Sequence, residues 1–529
     1  MDDGSIPPAA SKISTGPDVD RHTLRSPHNS SAAVSRIPCE LLIDIIRSTQ
    51  NLGLGDTEWL NLVSVCRFWY NVAVAAPILW TDINMIHRES FLRLCLERSG
   101  VACLDVRVQG IRPAPRVYEK LLIVQEQAHR IRSLSMEYLE DLDMRCVLAM
   151  LCRSMPELKM LALRPSGQAY SVPACSQTNF PLLRFVSLAR IAIHSFTSSL
   201  TDLVSLKLFY PPGCGIQMPP MDTVLDILDA CPALSVLTLD NSELREDAII
   251  YHPSSRRVSL PKLLTLLLSG IPMDVAVLLG HLIFPPEASV ILQLPFGATE
   301  DDADDLTPAR MIPPSRDRRT ITNVILDVVD VTLIFTYDCY ELYALSPTGP
   351  KLTMDLSSHA ISYSSGTRVL SDIAELFSSS PVTRLRVAGD FGSIPVNQWR
   401  QYLCCFPLLE RLDVSDLGES SSLFRALGSS VSDDEDRYLC PRLQEFIVDL
   451  CCPFQVYVDD IVVCLEYRAS RGVRLKRFGL RWNDEDYRHC LTPITLETMN
   501  SAVDRLEYAR FVFNGFFSYR RSELRLYEP

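Results

Sequence analysis

The sequence lacks the short motifs that usually accompany catalysis or metal binding. None of its 17 cysteines stands in a CxxC pair and its nine histidines are scattered, so the spacing does not indicate a zinc site. It has no GxGxxG, GxxxxGKS/T, GxSxG or HExxH stretch to position a phosphate, a nucleophile or zinc. Cys66 stands beside a cation, Arg67, which favours a reactive thiol, but its place on an apolar stripe favours burial. We therefore expect no enzyme, no cofactor and no metal.

A surplus of basic charge and a membrane-length apolar run are missing as well. The chain has 51 basic and 64 acidic residues, a net charge of -13, which argues against a nucleic acid as partner. The apolar run at 275–284 contains Gly280 and His281 and falls short of the roughly 20 residues that cross a bilayer. The start, MDDGSIPPAASKIS, has no secretory pattern. These features predict a cytoplasmic or nuclear protein that binds no membrane, with mostly reduced, buried cysteines.

One pattern recurs along most of the chain. Residues 1–35 are rich in Ser, Pro and Ala without apolar periodicity, which predicts a disordered tail. Further on, a Pro is repeatedly followed by L-x-x-L-x-L. Six copies share this spacing: 156–163, 181–188, 232–239, 261–268, 407–414 and 441–448. Four weaker copies lack the Pro or shift it: 131–136, 203–208, 382–387 and 475–480.

Several copies follow a helical pattern, such as Val224, Ile227 and Leu228 before Pro232. The Pro ends the helix because it has no N–H to donate, and L-x-L then alternates as a strand does. Each unit is therefore helix, break, strand, and only neighbouring units can cover its apolar stripes. The alternative is that these are core strands of an ordinary α/β domain, which would still imply parallel pairing.

The repeated unit resembles leucine-rich repeats. It departs from that family three positions after the last Leu, where Asn or Cys is usual and only Cys451 and Asn483 match. The resemblance implies an α/β protein in which a small all-α module precedes an irregular leucine-rich-repeat solenoid. Residues 282–372 fit the pattern least. There, SVILQL and NVILDVVDVTLIFTY (323–337) are expected to be strands, with 299–305 and 308–319 forming an exposed loop.

Two apolar stripes stand near the start of the chain, where four large aromatic residues also occur. In the first, Leu41, Leu42, Ile45 and Ile46 follow Pro38, which suits the first turn of a helix. The second, again at helical spacing, consists of Trp59, Leu62, Val63, Cys66, Trp69 and Ala73. Two or three short helices cannot hide all of this surface, so part of it should meet another body, either the repeats or a partner.

This segment resembles an F-box. The parts of the family pattern occur in order: Ile37, Pro38, Glu40, Leu41, Leu42, Ile45, Ile46, Val65, Cys66, Trp69, Val72, Ala73, Leu79 and Trp80. It departs in having Ile37 and Ile46 where Leu and Phe are common, and a longer loop at 50–57. The resemblance implies an F-box over 36–83, a linking helix over 84–100 and a repeat domain over 101–525.

An F-box implies a Skp-type adaptor and, through it, a cullin-RING ubiquitin ligase for which the repeats select a protein substrate. The family pattern places adaptor contacts at Pro38, Leu41, Leu42, Ile45, Ile46, Leu62, Val65, Cys66, Trp69, Leu79 and Trp80. The alternative is a repeat scaffold that binds no ubiquitin machinery. The sequence does not separate these two functions.

The x residues of L-x-L point away from the core and supply the expected substrate face. They are largely apolar in the earlier repeats, for example Met160 and Phe185, and charged in the later ones. The predicted substrate residues are Arg384, Arg386, Arg411, Asp413, Arg477 and Arg481. Because Arg matches carboxylate and phosphate geometry, an acidic or phosphorylated segment is the hypothesised ligand; solvated surface arginines are the alternative.

Overall fold

The computed structural model describes sixteen stretches of the chain. They are 36–51, 57–108, 117–171, 179–193, 200–211, 219–241, 256–294, 308–314, 318–335, 340–356, 366–389, 394–415, 421–429, 438–450, 458–482 and 492–510. The expected tail at 1–35 and the acidic run at 299–305 lie outside these stretches. The contacts within the chain form two compact units, 1–108 with 130–132, and 109–129 with 133–529.

The first unit is mainly helical. Its elements are α1 Cys39–Asn51, α2 Leu60–Val63, α3 Arg67–Ala75, a 3₁₀ turn Pro77–Trp80, β1 Asp82–Asn84, α4 Glu89–Arg98 and β2 Leu104–Val108. Strands β1 and β2 pair in parallel. The Arg130 guanidinium caps α4, donating to the Leu96 carbonyl at 3.3 Å and to the Ser99 hydroxyl at 3.1 Å. This satisfies groups that a helix leaves unpaired at its C-terminal end.

The spacing of the second apolar stripe predicted one helix, and this prediction is wrong. It is divided between α2 and α3 at residues 64–66. The Ser64 hydroxyl donates to the Asn61 carbonyl at 2.8 Å, and Cys66 is extended, with φ -159° and ψ 169°. A side chain that bonds the local backbone competes with helix continuation, and this explains the break. The segment predicted as a linking helix, 84–100, contains the last residue of β1 as well as α4.

The second unit contains ten α-helices among its described residues. They are α5 Tyr118–Gln125, α6 Asp141–Leu151, α7 Met221–Asp229, α8 Pro272–His281, α9 Arg319–Ile325, α10 Gly366–Phe377, α11 Val396–Leu403, α12 Ser422–Leu427, α13 Val458–Ser470 and α14 Pro493–Ala502. The apolar residues that predicted α7 are buried, namely Val224, Ile227 and Leu228. Thr492 caps α14, because its hydroxyl accepts from the Thr495 N–H at 3.1 Å.

The strands of the second unit follow the L-x-L copies. They are β3 Ile131–Leu139, β4 Met160–Pro165, β5 Tyr170–Ser171, β6 Phe185–Ala189, β7 Ile191–Ala192, β8 Ser205–Tyr210, β9 Val236–Asn241, β10 Val258–Ser259, β11 Thr265–Ser269, β12 Leu282–Ile283, β13 Ser289–Gln293, β14 Asp330–Phe335, β15 Tyr340–Ser346, β16 Gly349–Asp355, β17 Arg384–Gly389, β18 Arg411–Ser415, β19 Glu445–Leu450, β20 Arg477–Trp482 and β21 Leu506–Arg510. All ten predicted L-x-L strands are confirmed.

Most of these strands form one sheet. Its order is β3, β4, β6, β8, β9, β11, β13, β16, β15, β14, β17, β18, β19, β20 and β21. Equivalent positions of successive copies are in register, as Leu161 with Val186 and Leu412 with Phe446 show. The first Leu position of L-x-L is buried throughout, and the core therefore runs along one side of the sheet. The expectation of an α/β protein with mostly parallel strands is confirmed.

The region that fits the repeat pattern least carries the irregular part of the sheet. Strand β15 pairs antiparallel with both β14 and β16, whereas every other strand pairing described in this sheet is parallel. Residues 319–325, whose second half was predicted to be strand, form α9 instead, and β14 begins only at Asp330. The prediction of an exposed loop over 308–319 is wrong at 311–313, where Met311 and Ile312 are 0% and 4% exposed, and residues 315–317 lie outside the described stretches.

The described residues include no helix long and apolar enough to cross a membrane. They also include no group of three or more His, Cys, Asp or Glu side chains that could hold a metal ion.

Candidate functional site

Helix α1 divides its apolar residues between two faces. Leu42 and Ile46 are fully buried, whereas Leu41 and Ile45 are 55% and 42% exposed. The two pairs are each spaced i, i+4, so each forms a stripe of its own. The buried pair anchors α1 in the fold, and the exposed pair presents apolar surface that no described residue covers.

The three tryptophans of the first unit are internal. Trp80 is 2% exposed, donates its indole N–H to the Ala73 carbonyl at 2.8 Å, and lies edge-on to Trp59, with 5.1 Å between the rings. The Arg98 guanidinium lies over Trp80, 4.5 Å from the ring centre. Trp69 is 8% exposed. These contacts hold α3, the 3₁₀ turn and α4 together.

The predicted adaptor residues therefore fall into three groups. Pro38, Leu41, Ile45 and Val65 are exposed; Leu62 and Cys66 are half-buried; Leu42, Ile46, Trp69, Leu79 and Trp80 are buried. A side chain in the last group cannot touch a partner without a rearrangement, so its direct contribution is to hold the helices in place.

Three large apolar residues of α3 and the 3₁₀ turn are exposed and were not predicted as contacts. Phe68, Tyr70 and Ile78 are 36%, 48% and 43% exposed. Phe68 and Tyr70 flank the buried Trp69, and a helix turns by about 100° per residue, so they leave the buried face on either side. Their positions relative to Trp69 were the signal that could have identified them.

The x residues of the late strands, β17 to β21, lie together on one side of the sheet, which we call the x face. Parallel register aligns Arg384, Arg411, Glu445 and Arg477 in one row. Arg411 and Arg477 both contact the Glu445 carboxylate, at 3.3 and 3.5 Å. The sheet thus brings the predicted substrate residues together, but it also supplies carboxylates to its arginines.

Asp413 is the centre of this charge network. It is 7% exposed and accepts hydrogen bonds from Arg411 Nε at 2.9 Å, Arg411 Nη2 at 3.0 Å and Arg386 Nε at 3.3 Å. Two arginines therefore share one nearly buried carboxylate. An incoming acidic group would have to compete with Asp413 for them.

The last strands repeat the same pairing. Arg481 Nε lies 2.6 Å from Asp449 Oδ1, and Arg477 Nη2 lies 2.6 Å from Glu507 Oε2. Burial raises the pKa of Asp449, although Arg481 opposes the shift. The hydrogen bond from Arg477 lowers the pKa of Glu507. On the late strands the x face is therefore mixed in charge rather than basic.

A carboxylate at the start of this face was missed by sequence reasoning. Asp330, the first residue of β14, is aligned with Arg384. Burial raises its pKa, and the nearby Arg386 and Arg384 oppose that shift. Its place as the first x residue of β14 could have identified it. The strand was expected to begin at residue 323, so Asp330 was not recognised as the start of a repeat strand.

The early strands, β3 to β13, present a different x face. Met160 and Phe185 are aligned partners on β4 and β6 and are 38% and 45% exposed. Ala162, Ser187 and Val236 are half-buried, and Thr238 is 6% exposed. Large apolar side chains at these positions are solvent-facing, as the alternation predicted.

Comparison with protein-family models finds none that matches this chain, and comparison with curated proteins finds no match either. Function is therefore inferred from the geometry within each unit.

Proposed function

We propose that the chain is the substrate-recognition subunit of a Skp-cullin-F-box ubiquitin ligase. In this proposal the first unit is an F-box that binds a Skp-type adaptor. The second unit is an irregular leucine-rich-repeat solenoid that binds a protein substrate. The observation that carries the proposal is the pair Leu41 and Ile45, half or nearly half exposed beside the fully buried pair Leu42 and Ile46.

This division of α1 is what an adaptor-binding helix requires. Leu41 and Ile45 lie one helical turn apart on α1, so together they form an apolar patch rather than single scattered residues, and exposed apolar patches are typical of interaction surfaces. Val65 and Phe68 add exposed apolar surface at the start of α3. The order of the family pattern along residues 37–80 supports the same partner.

The repeats support the second half of the proposal. Ten L-x-L copies in parallel register place their x residues on a single face, where neighbouring strands lie about 4.8 Å apart. Such a face suits recognition of an extended protein segment. A scaffold without a ligase role would use the same face, so the adaptor decides between the two functions.

The test is binding of a purified Skp-type adaptor to the full chain, measured by calorimetry. Leu41→Ala with Ile45→Ala should weaken the complex by at least about a hundredfold, since truncated central contacts each cost on the order of 2 kcal/mol. Because both residues are exposed, the melting temperature should change little.

Leu122→Ala with Leu142→Ala is the matched control. These leucines are 44% and 56% exposed but lie in the second unit, on α5 and α6. The control pair should bind the adaptor as the unaltered chain does. A chain that fails to bind any Skp-type adaptor would favour the scaffold function, and equal losses for both pairs would remove α1 from the interface.

A further inference from the structure

The x face of β3, β4 and β6 has a row of small residues between two rows of larger ones. Register aligns Ser135, Ala162 and Ser187 across the three strands. Met160 and Phe185 form the row on the side of the strand starts. A strand places its i and i+2 side chains on one face, so the small row is the floor of a shallow trough between its neighbours.

The opposite side of the trough is formed by an arginine held between aromatic rings. Arg164 lies over Tyr138 and Phe209, with 5.9 and 5.6 Å between its guanidinium carbon and the ring centres. Its Nη1 also donates to the Tyr138 hydroxyl at 3.2 Å. The irregular register at Glu137–Leu139, with Tyr138 at φ 58°, directs the tyrosine toward Arg164. The guanidinium is thereby pre-positioned, which lowers the entropy cost of binding an anion.

A second cation closes the trough at β8. Lys207 is exposed and is the aligned neighbour of Ser187, so it stands at the end of the floor row. Within the part of the chain that the structure describes, neither Lys207 nor Arg164 pairs with a carboxylate. The late strands differ in this respect, because Asp413 and Glu445 already occupy their arginines.

We propose that this trough, lined by Met160, Phe185, Arg164 and Lys207 over a floor of small residues, binds a protein segment carrying a bulky apolar side chain next to acidic residues. The apolar side chain packs on Met160 and Phe185, and the carboxylates face Arg164 and Lys207. The proposal deepens the proposed substrate-binding role of the repeats and rests on it. It places the acidic ligand on the early strands, where Glu137 is the aligned neighbour of Arg164 but does not form an ion pair with it.

The probe is a set of fluorescent decapeptides with a central Phe followed by two Glu residues, measured by anisotropy against the full chain. Matched peptides replace both Glu by Lys, or Phe by Ala. The Phe-Glu-Glu peptides should bind at least tenfold more tightly than either relative. Their affinity should fall as NaCl is raised, because the contact depends on charge.

Variants of the chain locate the site. Phe185→Ala and Arg164→Gln should each weaken the Phe-Glu-Glu peptides about tenfold, and Lys207→Glu should shift preference toward the Lys peptides. Leu264→Ala and Lys262→Glu are controls, since Leu264 is 60% exposed and both precede β11, outside the trough. Thermal melting of each variant excludes a loss through unfolding.

The proposal is overturned if the three peptide sets bind alike or not at all. It is also overturned if Arg384→Glu with Arg386→Glu abolishes binding while the trough variants retain it. Adaptor affinity, measured on the same proteins, separates the two proposals. If the unaltered chain binds the adaptor but none of the peptides, only the trough proposal fails. If it binds the Phe-Glu-Glu peptides but no adaptor, only the ligase role fails.

Discussion

The early and late strands of the second unit share one core and differ in their x faces. Leu161 on β4 and Leu412 on β18 occupy the same position of the repeat and are both almost fully buried. On the outside, β4 and β6 expose Met160 and Phe185, whereas β18 carries Asp413 within a network of arginines. The difference teaches that the buried Leu positions set the fold, and that the x positions are free to take on separate chemistry.

The largest expected effect tests the shared core. Leu161→Ala and Leu412→Ala should each destabilise the chain by about 2–5 kcal/mol, because each leaves a cavity among packed side chains. Urea unfolding measures both. Similar losses in the two halves would support one continuous core, whereas a loss confined to one half would show that the halves are packed differently.

The next effect tests the difference between the x faces. Asp413→Asn should destabilise by about 1–2 kcal/mol, because it leaves Arg386 and Arg411 without their shared carboxylate. Ser187→Ala, the matched change on the early strands, should stay within about 0.5 kcal/mol. Equal effects of the two changes would argue against a structural role for the late charge network.

The smallest effect concerns pH. Burial gives folded Asp449 a pKa above that of the unfolded chain, so its contribution to stability is present at low pH and is lost as pH rises through the folded pKa. Asp449→Asn should therefore gain stability relative to the unaltered chain as pH rises above the range in which a free aspartate titrates. Melting temperatures across this range measure it.

Glu507 provides a control of opposite sign. The hydrogen bond from Arg477 lowers its folded pKa, so its contribution is present above the unfolded pKa and is lost as pH falls. Glu507→Gln should lose stability relative to the unaltered chain over the same rise in pH. If both variants change in the same direction, the two carboxylates do not differ as the structure indicates.

The sequence was sufficient to predict the regular part of the fold. Alternation in L-x-L marked the buried positions, and the i, i+3, i+4 spacing of Val224, Ile227 and Leu228 marked a helix. These patterns are local, and burial of one face follows from them directly. The break between α2 and α3 was not predictable in this way, because the apolar spacing continues through Ser64 and Cys66 while the backbone does not.

The candidate sites were predictable only in part. The i, i+2 spacing of Arg411 and Asp413 already placed them on one face of a strand, but the contact of Arg386 with Asp413 depends on register between strands. The trough was missed for the same reason, since Ser135, Ala162 and Ser187 become neighbours only when β3, β4 and β6 are aligned. Exposure of Leu41 and burial of Leu42 likewise needed the packed structure.

The antiparallel strand β15 has a consequence for how the second unit folds. Parallel neighbours in this sheet are separated in sequence by whole helices or long connections. Each pairing therefore closes a large loop, and the entropy cost of closure comes before the strand contacts that offset it. Strands β15 and β16 are joined by two residues, 347 and 348, and such hairpins form within microseconds. Once the hairpin has formed, β13 can pair with the free edge of β16. On the other side β14 pairs with β15, and β17 can then pair with β14. Assembly of the sheet is therefore expected to start in its middle and proceed outward in both directions, with the repeats nearest β15 acquiring amide-exchange protection first.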